Sequence, residues 1–110
     1  MSRRSDVRMA IALASFAGAL ASCSPSAPRA HTVSIRNFAF DPVDVVVAIG
    51  DTVVWSNADI VPHTATATDT VWDSKSIGAN GTWRFVAGAR GRHEYYCVFH
   101  PTMKGAIVVR

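Results

Sequence analysis

Three potential metal ligands recur at intervals of three residues near the end of this 110-residue chain. Cys97, His100 and Met103 lie in one short stretch between two apolar runs, so a thiol, an imidazole and a thioether reach the same end of any fold. One thiolate, two histidines and a weak axial methionine form the donor set that selects copper and tunes its reduction potential. His63 is the best upstream candidate for the second histidine. These four residues are the predicted ligands of a single type 1 copper site.

Each of these residues also has an ordinary structural interpretation. Taken alone, Met103 would be a core residue, His63 a surface or capping residue, and Cys97 a buried inert thiol. Zinc would suit the thiolate and the imidazoles, but a methionine ligand is a poor choice for zinc. The joint spacing favours the copper site, whereas His31 and His93 are predicted to be structural or surface residues.

The beginning of the chain has the pattern of an export signal. Three arginines within the first eight residues precede an apolar run at residues 9–20, which is too short to span a bilayer comfortably. Small residues then lead into Cys23, as in the lipobox of bacterial lipoproteins, and this resemblance implies a lipid on Cys23; an ordinary cleavage site is the alternative. We expect a lipoprotein-type signal peptide at residues 1–22, a lipidated N-terminus and flexible tether at 23–30, and one folded domain at 31–110.

Charge and cysteine content depend on this leader. Removing its three arginines from the 11 basic residues, and Asp6 from the 8 acidic ones, leaves a net charge of +1. No basic run interleaved with aromatic residues remains, so nucleic acid is not an expected partner. Cys97 then has no cysteine to pair with, and a free thiol in an oxidising compartment is a liability unless a metal occupies it. We therefore expect a periplasmic or extracytoplasmic protein that contacts the membrane only through the lipid on Cys23.

From residue 32 onward the apolar residues alternate with a period of two, which is typical of strands. A bend or bulge precedes Phe38 and Phe40, the segment 72–74 is an undecided edge strand, and no run has a helical stripe. Seven or so short strands predict an all-β sandwich. The predicted strands lie at residues 32–36, 43–49, 52–57, 64–68, 82–86, 93–97 and 106–109.

The chain resembles small blue-copper proteins of the cupredoxin superfamily, and among them the amicyanin and plastocyanin-like group. The matching motifs are residues 50–55, 61–63 and 96–105, and the Cys-x-x-His-x-x-Met spacing is that of amicyanin. The resemblance implies an eight-stranded Greek-key sandwich and one-electron exchange with protein partners. It also implies that the edge of the His100 ring is exposed in an apolar patch, to which Val98, Phe99 and Pro101 contribute.

Two residues depart from the family pattern. Thr64 follows the first histidine ligand where most members have asparagine, which hydrogen-bonds across to the cysteine loop, and the shorter hydroxyl is expected to do this less fully. His93 stands where an aromatic residue is usual.

The sequence favours a carrier that passes single electrons between extracytoplasmic redox proteins while copper cycles between Cu(I) and Cu(II). We expect a monomer whose donor and acceptor dock transiently near His100. The alternative is a copper-buffering or delivery protein, although such proteins use methionine- or histidine-rich open sites that this chain lacks. A metal-free sandwich used in adhesion or assembly, with the ligand spacing a coincidence, is the third interpretation. No enzyme is expected, because the chain has no nucleophile elbow, phosphate-binding glycine loop or carboxylate pair.

Overall fold

The computed structural model describes residues 26–110, together with Ala12 and Gly18. Most of the predicted signal peptide, and Cys23, lie outside the described residues. The described part contains eight strands and no helix, which confirms the all-β prediction, and it offers no helix of the length and apolarity needed to cross a membrane. The strands are β1 (Ala30–Arg36), β2 (Ala39–Asp41), β3 (Asp44–Val47), β4 (Thr52–Asn57), β5 (Thr66–Ala67), β6 (Thr82–Val86), β7 (Gly91–Cys97) and β8 (His100–Val109).

The strands form two four-stranded sheets. One sheet has the order β2-β1-β4-β6 and the other has the order β3-β8-β7-β5. Strand β1 pairs in parallel with β4, and β3 pairs in parallel with β8, while the other neighbours are antiparallel. Parallel neighbours cannot be joined by a hairpin. Between the parallel neighbours β1 and β4, the chain therefore leaves their sheet after β2, forms β3 in the other sheet, and then returns for β4. Such crossings are what the predicted sandwich requires.

The period-two pattern explains the core between the sheets. Along β4, Val53 and Trp55 are fully buried while the residues between them are half-exposed. The Trp55 ring packs against Trp72 and Tyr95, with ring centroids 6.0 and 5.4 Å away. Burying a large apolar side chain stabilises a fold by about 1.5–3 kcal/mol, so this aromatic cluster holds the two sheets together.

The segment after Cys97 differs from the prediction. It was expected to be a ligand loop followed by a strand that begins near Gly105, but β8 begins at His100, which pairs with Cys97. The register shifts between Tyr96 and Cys97, so residues 101–103 lie outside the β7 register and continuous pairing begins at Lys104. Only Val98 and Phe99 separate the two strands. Gly105 lies opposite Tyr95, and a Cβ at this position would stand 2.6 Å from the tyrosine ring, so the absence of a side chain lets the paired strand continue.

The segment between β4 and β6 also has less regular structure than predicted. The expected strand at 64–68 is reduced to the two residues of β5, and the undecided segment 72–74 contributes one bridge, between Thr66 and Asp73. The backbone here is held by side chains instead. The Ser74 hydroxyl accepts a hydrogen bond from the Ala65 amide at 2.8 Å, and a periodicity argument cannot detect such a contact.

Candidate metal centre

Three of the predicted ligands converge at one end of the sandwich. The ligand atoms of His63, Cys97 and His100 all lie within 4.8 Å of one another. The Cys97 Sγ atom is 3.7 Å from Nδ1 of each histidine. His63 and Cys97 are completely buried and His100 is half-buried. The structure therefore brings three of the four predicted residues together, including the distant His63.

The β7–β8 hairpin positions the cysteine and the second histidine. Cys97 is the last residue of β7 and His100 is the first of β8, and the two are paired across the two-residue turn. Met103 lies three residues further along β8 and is 4% exposed. The β7–β8 hairpin thus supplies three of the four predicted ligands, and together with His63 they have the arrangement of a type 1 site.

A pair of backbone hydrogen bonds holds His63 in place. Its amide donates to the Ile77 carbonyl at 3.1 Å, and the Ile77 amide donates back to the His63 carbonyl at 2.7 Å. The buried Asn57 side chain fixes the loop before His63, because its Nδ2 donates to the carbonyls of Val61 and Ile77, both at 2.9 Å. Sequence reasoning treated Asn57 only as a strand end. The available signal was its place in the inward register of β4, where an amide needs buried partners.

Thr64 connects the two segments that carry the ligands. Its backbone amide donates to Cys97 Sγ at 3.3 Å, and its side-chain hydroxyl accepts from the Val98 amide at 2.9 Å. The hydroxyl therefore makes the contact across to the cysteine turn that was in doubt for a residue shorter than asparagine. The two hydrogen bonds of Thr64 therefore tie the His63 segment to the cysteine and to the turn that follows it.

Asp59 is a site residue that the sequence did not indicate. Its Oδ2 atom lies 2.8 Å from Nε2 of His63, and the carboxylate also accepts the backbone amides of Phe38 at 3.0 Å and Asn37 at 2.8 Å. The amide of Phe38, followed by that of Asn37 and the His63 ring, lowers the pKa of Asp59 below its usual value. A carboxylate on the outer nitrogen of a histidine directs the other nitrogen toward a metal.

Apolar side chains surround the exposed edge of the centre. Val98 is 43% exposed, Phe99 is 52% exposed, and Pro101 is also exposed. The Phe38 ring, which is half-exposed, meets the His100 ring edge to face with centroids 4.9 Å apart. The residues expected near His100 are therefore at the surface beside it, and Phe38 joins them.

The two remaining histidines are held by other partners. His31 Nε2 lies 2.9 Å from Asp51. His93 Nδ1 lies 2.6 Å from Asp69, while its Nε2 contacts the Ala89 carbonyl at 2.9 Å. Among the described residues, the cluster able to hold a metal contains neither of them. Both are structural, as predicted.

The donor set fits copper. A buried thiolate and two imidazoles, with a thioether nearby on the same hairpin, suit a soft to borderline ion. A site for a hard cation would contain carboxylate ligands. Within the described part of the chain, no aspartate or glutamate belongs to the cluster.

Comparison with known proteins agrees with this geometry. A family model described as the cupredoxin-like domain matches residues 8–109. The chain belongs to the cupredoxin-like family. It is an amicyanin-like blue-copper protein with one copper per chain.

Individual relatives support the same conclusion. Amicyanin-alpha of Methylorubrum extorquens is 29% identical over 112 residues, which cover 91% of this chain and 94% of that protein. A purple cupredoxin from Nitrosopumilus maritimus has a similar structure, with a TM-score of 0.69, 26% identity, and coverage of 72% of this chain and 98% of its own. The copper-containing nitrite reductase of Thermus scotoductus also matches, with a TM-score of 0.68 and 26% identity. That match covers 76% of this chain but only 22% of the reductase. The cupredoxin fold thus occurs both in small proteins such as the purple cupredoxin and as one part of a larger reductase.

Proposed function

We propose that this protein passes single electrons between redox proteins outside the cytoplasm, with His63, Cys97, His100 and Met103 as the ligands of its copper. The observation that carries the proposal is the convergence of Cys97 Sγ and two histidine Nδ1 atoms in a buried cluster at one end of the sandwich. When bound there, a copper ion can exchange one electron by alternating between Cu(I) and Cu(II).

The surroundings of the ligands favour electron transfer over metal delivery. Backbone pairing with Ile77 holds His63, and Thr64 contacts both the Cys97 sulfur and the turn that follows it. Ligands fixed by the fold move little when the oxidation state of the metal changes, so each transfer requires little rearrangement. A delivery site would instead need ligands that open readily.

The half-buried His100 is the proposed route for electrons between the centre and the surface. Its ring lies beside the exposed turn of Val98 and Phe99. A partner that docks on this apolar surface would reach the metal through one imidazole. We propose that donor and acceptor use this surface in turn, and that the protein acts as a monomer.

The leader completes the proposal. We propose that residues 1–22 direct export and are removed, that Cys23 carries a lipid, and that residues 23–30 tether the domain at 31–110 to the membrane. A Cys23→Ser variant is expected to leave the membrane fraction. Mass spectrometry of the wild-type N-terminal peptide should show acylation, and an unmodified peptide from a membrane-bound protein would contradict this part of the proposal.

Voltammetry of copper-loaded residues 24–110 tests the electron-transfer function. A reversible one-electron wave is expected, and the bound copper should resist a chelator. The Met103→Gln variant should retain copper and show a lower reduction potential, because a harder axial oxygen stabilises Cu(II). Rapid loss of copper to the chelator, without a reversible wave, would support the copper-delivery alternative instead.

A further inference from the structure

The turn between β1 and β2 has an unusual backbone. Asn37 and Phe38 both adopt left-handed conformations, with φ of 51° and 57°. Asparagine tolerates this region, but a bulky residue such as phenylalanine seldom occupies it. Burial of the Phe38 side chain does not account for the conformation, because this side chain is 51% exposed. Such strain persists only where surrounding contacts determine the backbone, and it often occurs at functional sites.

The contacts that determine this turn come from Asp59. Its Oδ1 atom accepts the Asn37 amide at 2.8 Å, and its Oδ2 atom accepts the Phe38 amide at 3.0 Å. The same Oδ2 atom lies 2.8 Å from Nε2 of His63. One carboxylate therefore joins the strained turn to a ligand of the candidate metal centre.

The strained turn places the Phe38 ring over both histidines of the centre. Its centroid lies 5.3 Å from that of His63 and 4.9 Å from that of His100, with interplanar angles of 90° and 85°. Edge-to-face contacts of this kind stabilise the relative orientation of aromatic rings. With both imidazoles in contact with one phenyl ring, neither can rotate without disturbing it.

We propose that Asp59 and Phe38 act as one pair of positioning residues for the metal centre. Asp59 accepts the Nε2 proton of His63, which leaves Nδ1 unprotonated and facing the Cys97 sulfur. Asp59 also holds the turn in the conformation that keeps the Phe38 ring against both imidazoles, where it restrains them and shields them from water. The inference rests on the proposed function in one respect, namely that His63 and His100 are ligands.

Asp51 provides a matched control for Asp59. Its carboxylate also accepts two backbone amides, those of Arg29 and Ala48, both at 2.9 Å, and it also lies 2.9 Å from a histidine Nε2, that of His31. The number and type of contacts are the same, but His31 is not part of the metal cluster. A merely structural role would make the two alanine variants equivalent at the metal centre.

The first experiment uses the full-length protein without metal. Long-range proton–nitrogen NMR reports which ring nitrogen of His63 carries a proton. The wild type and Asp51→Ala are expected to show a single tautomer with the proton on Nε2. Asp59→Ala is expected to show a mixture of both tautomers. An unchanged single tautomer in Asp59→Ala would overturn the role of Asp59.

The second experiment measures how fast copper is lost from the loaded protein to an excess of chelator. Loss of an outer partner of a metal ligand typically weakens metal binding by 10–100-fold, so Asp59→Ala should release copper at least about tenfold faster than wild type. Phe38→Gly should do so as well, since glycine accepts the left-handed backbone but provides no ring. Asp51→Ala, and Asn37→Gly in the same turn, should remain within about twofold of wild type.

Combining the two changes tests whether the residues act together. Each effect is the fold-increase in release rate over wild type. The effect of Asp59→Ala/Phe38→Gly should be much smaller than the product of the two single effects, because coupled residues are not additive. Multiplicative effects, or release from Phe38→Gly at the rate of Asn37→Gly, would overturn the paired role. A wild-type protein that binds no copper would instead refute the proposed function, and the NMR measurement would still decide the role of Asp59.

Discussion

Thr64 offers the sharpest test of how the two ligand segments are joined. Thr64→Val preserves the shape of this buried side chain but removes the hydroxyl that accepts the Val98 amide at 2.9 Å. A buried donor left without a partner costs about 1–3 kcal/mol. Since Val98 is 43% exposed, water reaches part of this turn, and we expect about 1–2 kcal/mol. In a domain of this size that corresponds to a fall in Tm of roughly 5–15 °C.

A second variant separates the hydrogen bond from packing. Thr64→Ser keeps the hydroxyl and loses one buried methyl group, which costs about 1 kcal/mol. Thermal unfolding of the metal-free chain should therefore show a loss of stability in both variants. Hydrogen exchange of the Val98 amide should differ, with exchange accelerated at least about fivefold in Thr64→Val and little changed in Thr64→Ser. Equal protection of this amide in the two variants would refute the argument.

Two further predictions concern the sheet and its histidine. Gly105→Ala should lower stability by about 1–3 kcal/mol, because the new Cβ would lie 2.6 Å from the Tyr95 ring and 2.9 Å from the Val43 carbonyl; denaturant unfolding identical to wild type would contradict this. The hydrogen bond to Asp69, and then that to Ala89, raises the pKa of His93 above 6.5. The contribution of protonated His93 to stability is therefore complete below about pH 6.5, and it is lost as the pH rises through the raised pKa of His93. The Tm of the metal-free chain should fall over that range, and His93→Gln should weaken this dependence; an equal slope in both proteins would show that another group is responsible.

The sequence predicted the features of this fold that follow a regular residue spacing. The β-branched and aromatic run at residues 52–57 was predicted as a strand, and β4 occupies the same residues; its inward Val53 and Trp55 follow because a strand places successive side chains on opposite faces. The spacing of Cys97 and His100 was equally informative, since donor residues three apart in one short stretch can reach the same metal ion. His63 was found because a thiolate site of this type requires a second imidazole.

The contacts that the sequence did not predict are long-range and non-periodic. Asp59 meets the amide of Phe38 from 21 residues away, and no local pattern specifies that pairing. Asn57 and Ser74 hold backbone groups that no strand satisfies, so the segment between β4 and β6 was assigned too much regular structure. The early start of β8 at His100 was missed because the turn before it is apolar and contains no glycine.

The central claim is that Cys97, His63 and His100 hold one copper ion through a thiolate and two imidazoles. The most direct measurement is a visible absorption titration of residues 24–110 with copper(II), with the Cys97→Ser variant in parallel. We predict an intense thiolate-to-copper band that saturates at one copper per chain and is absent from the variant. A colourless copper complex of the wild type, or the same band in Cys97→Ser, would contradict the assignment of the site.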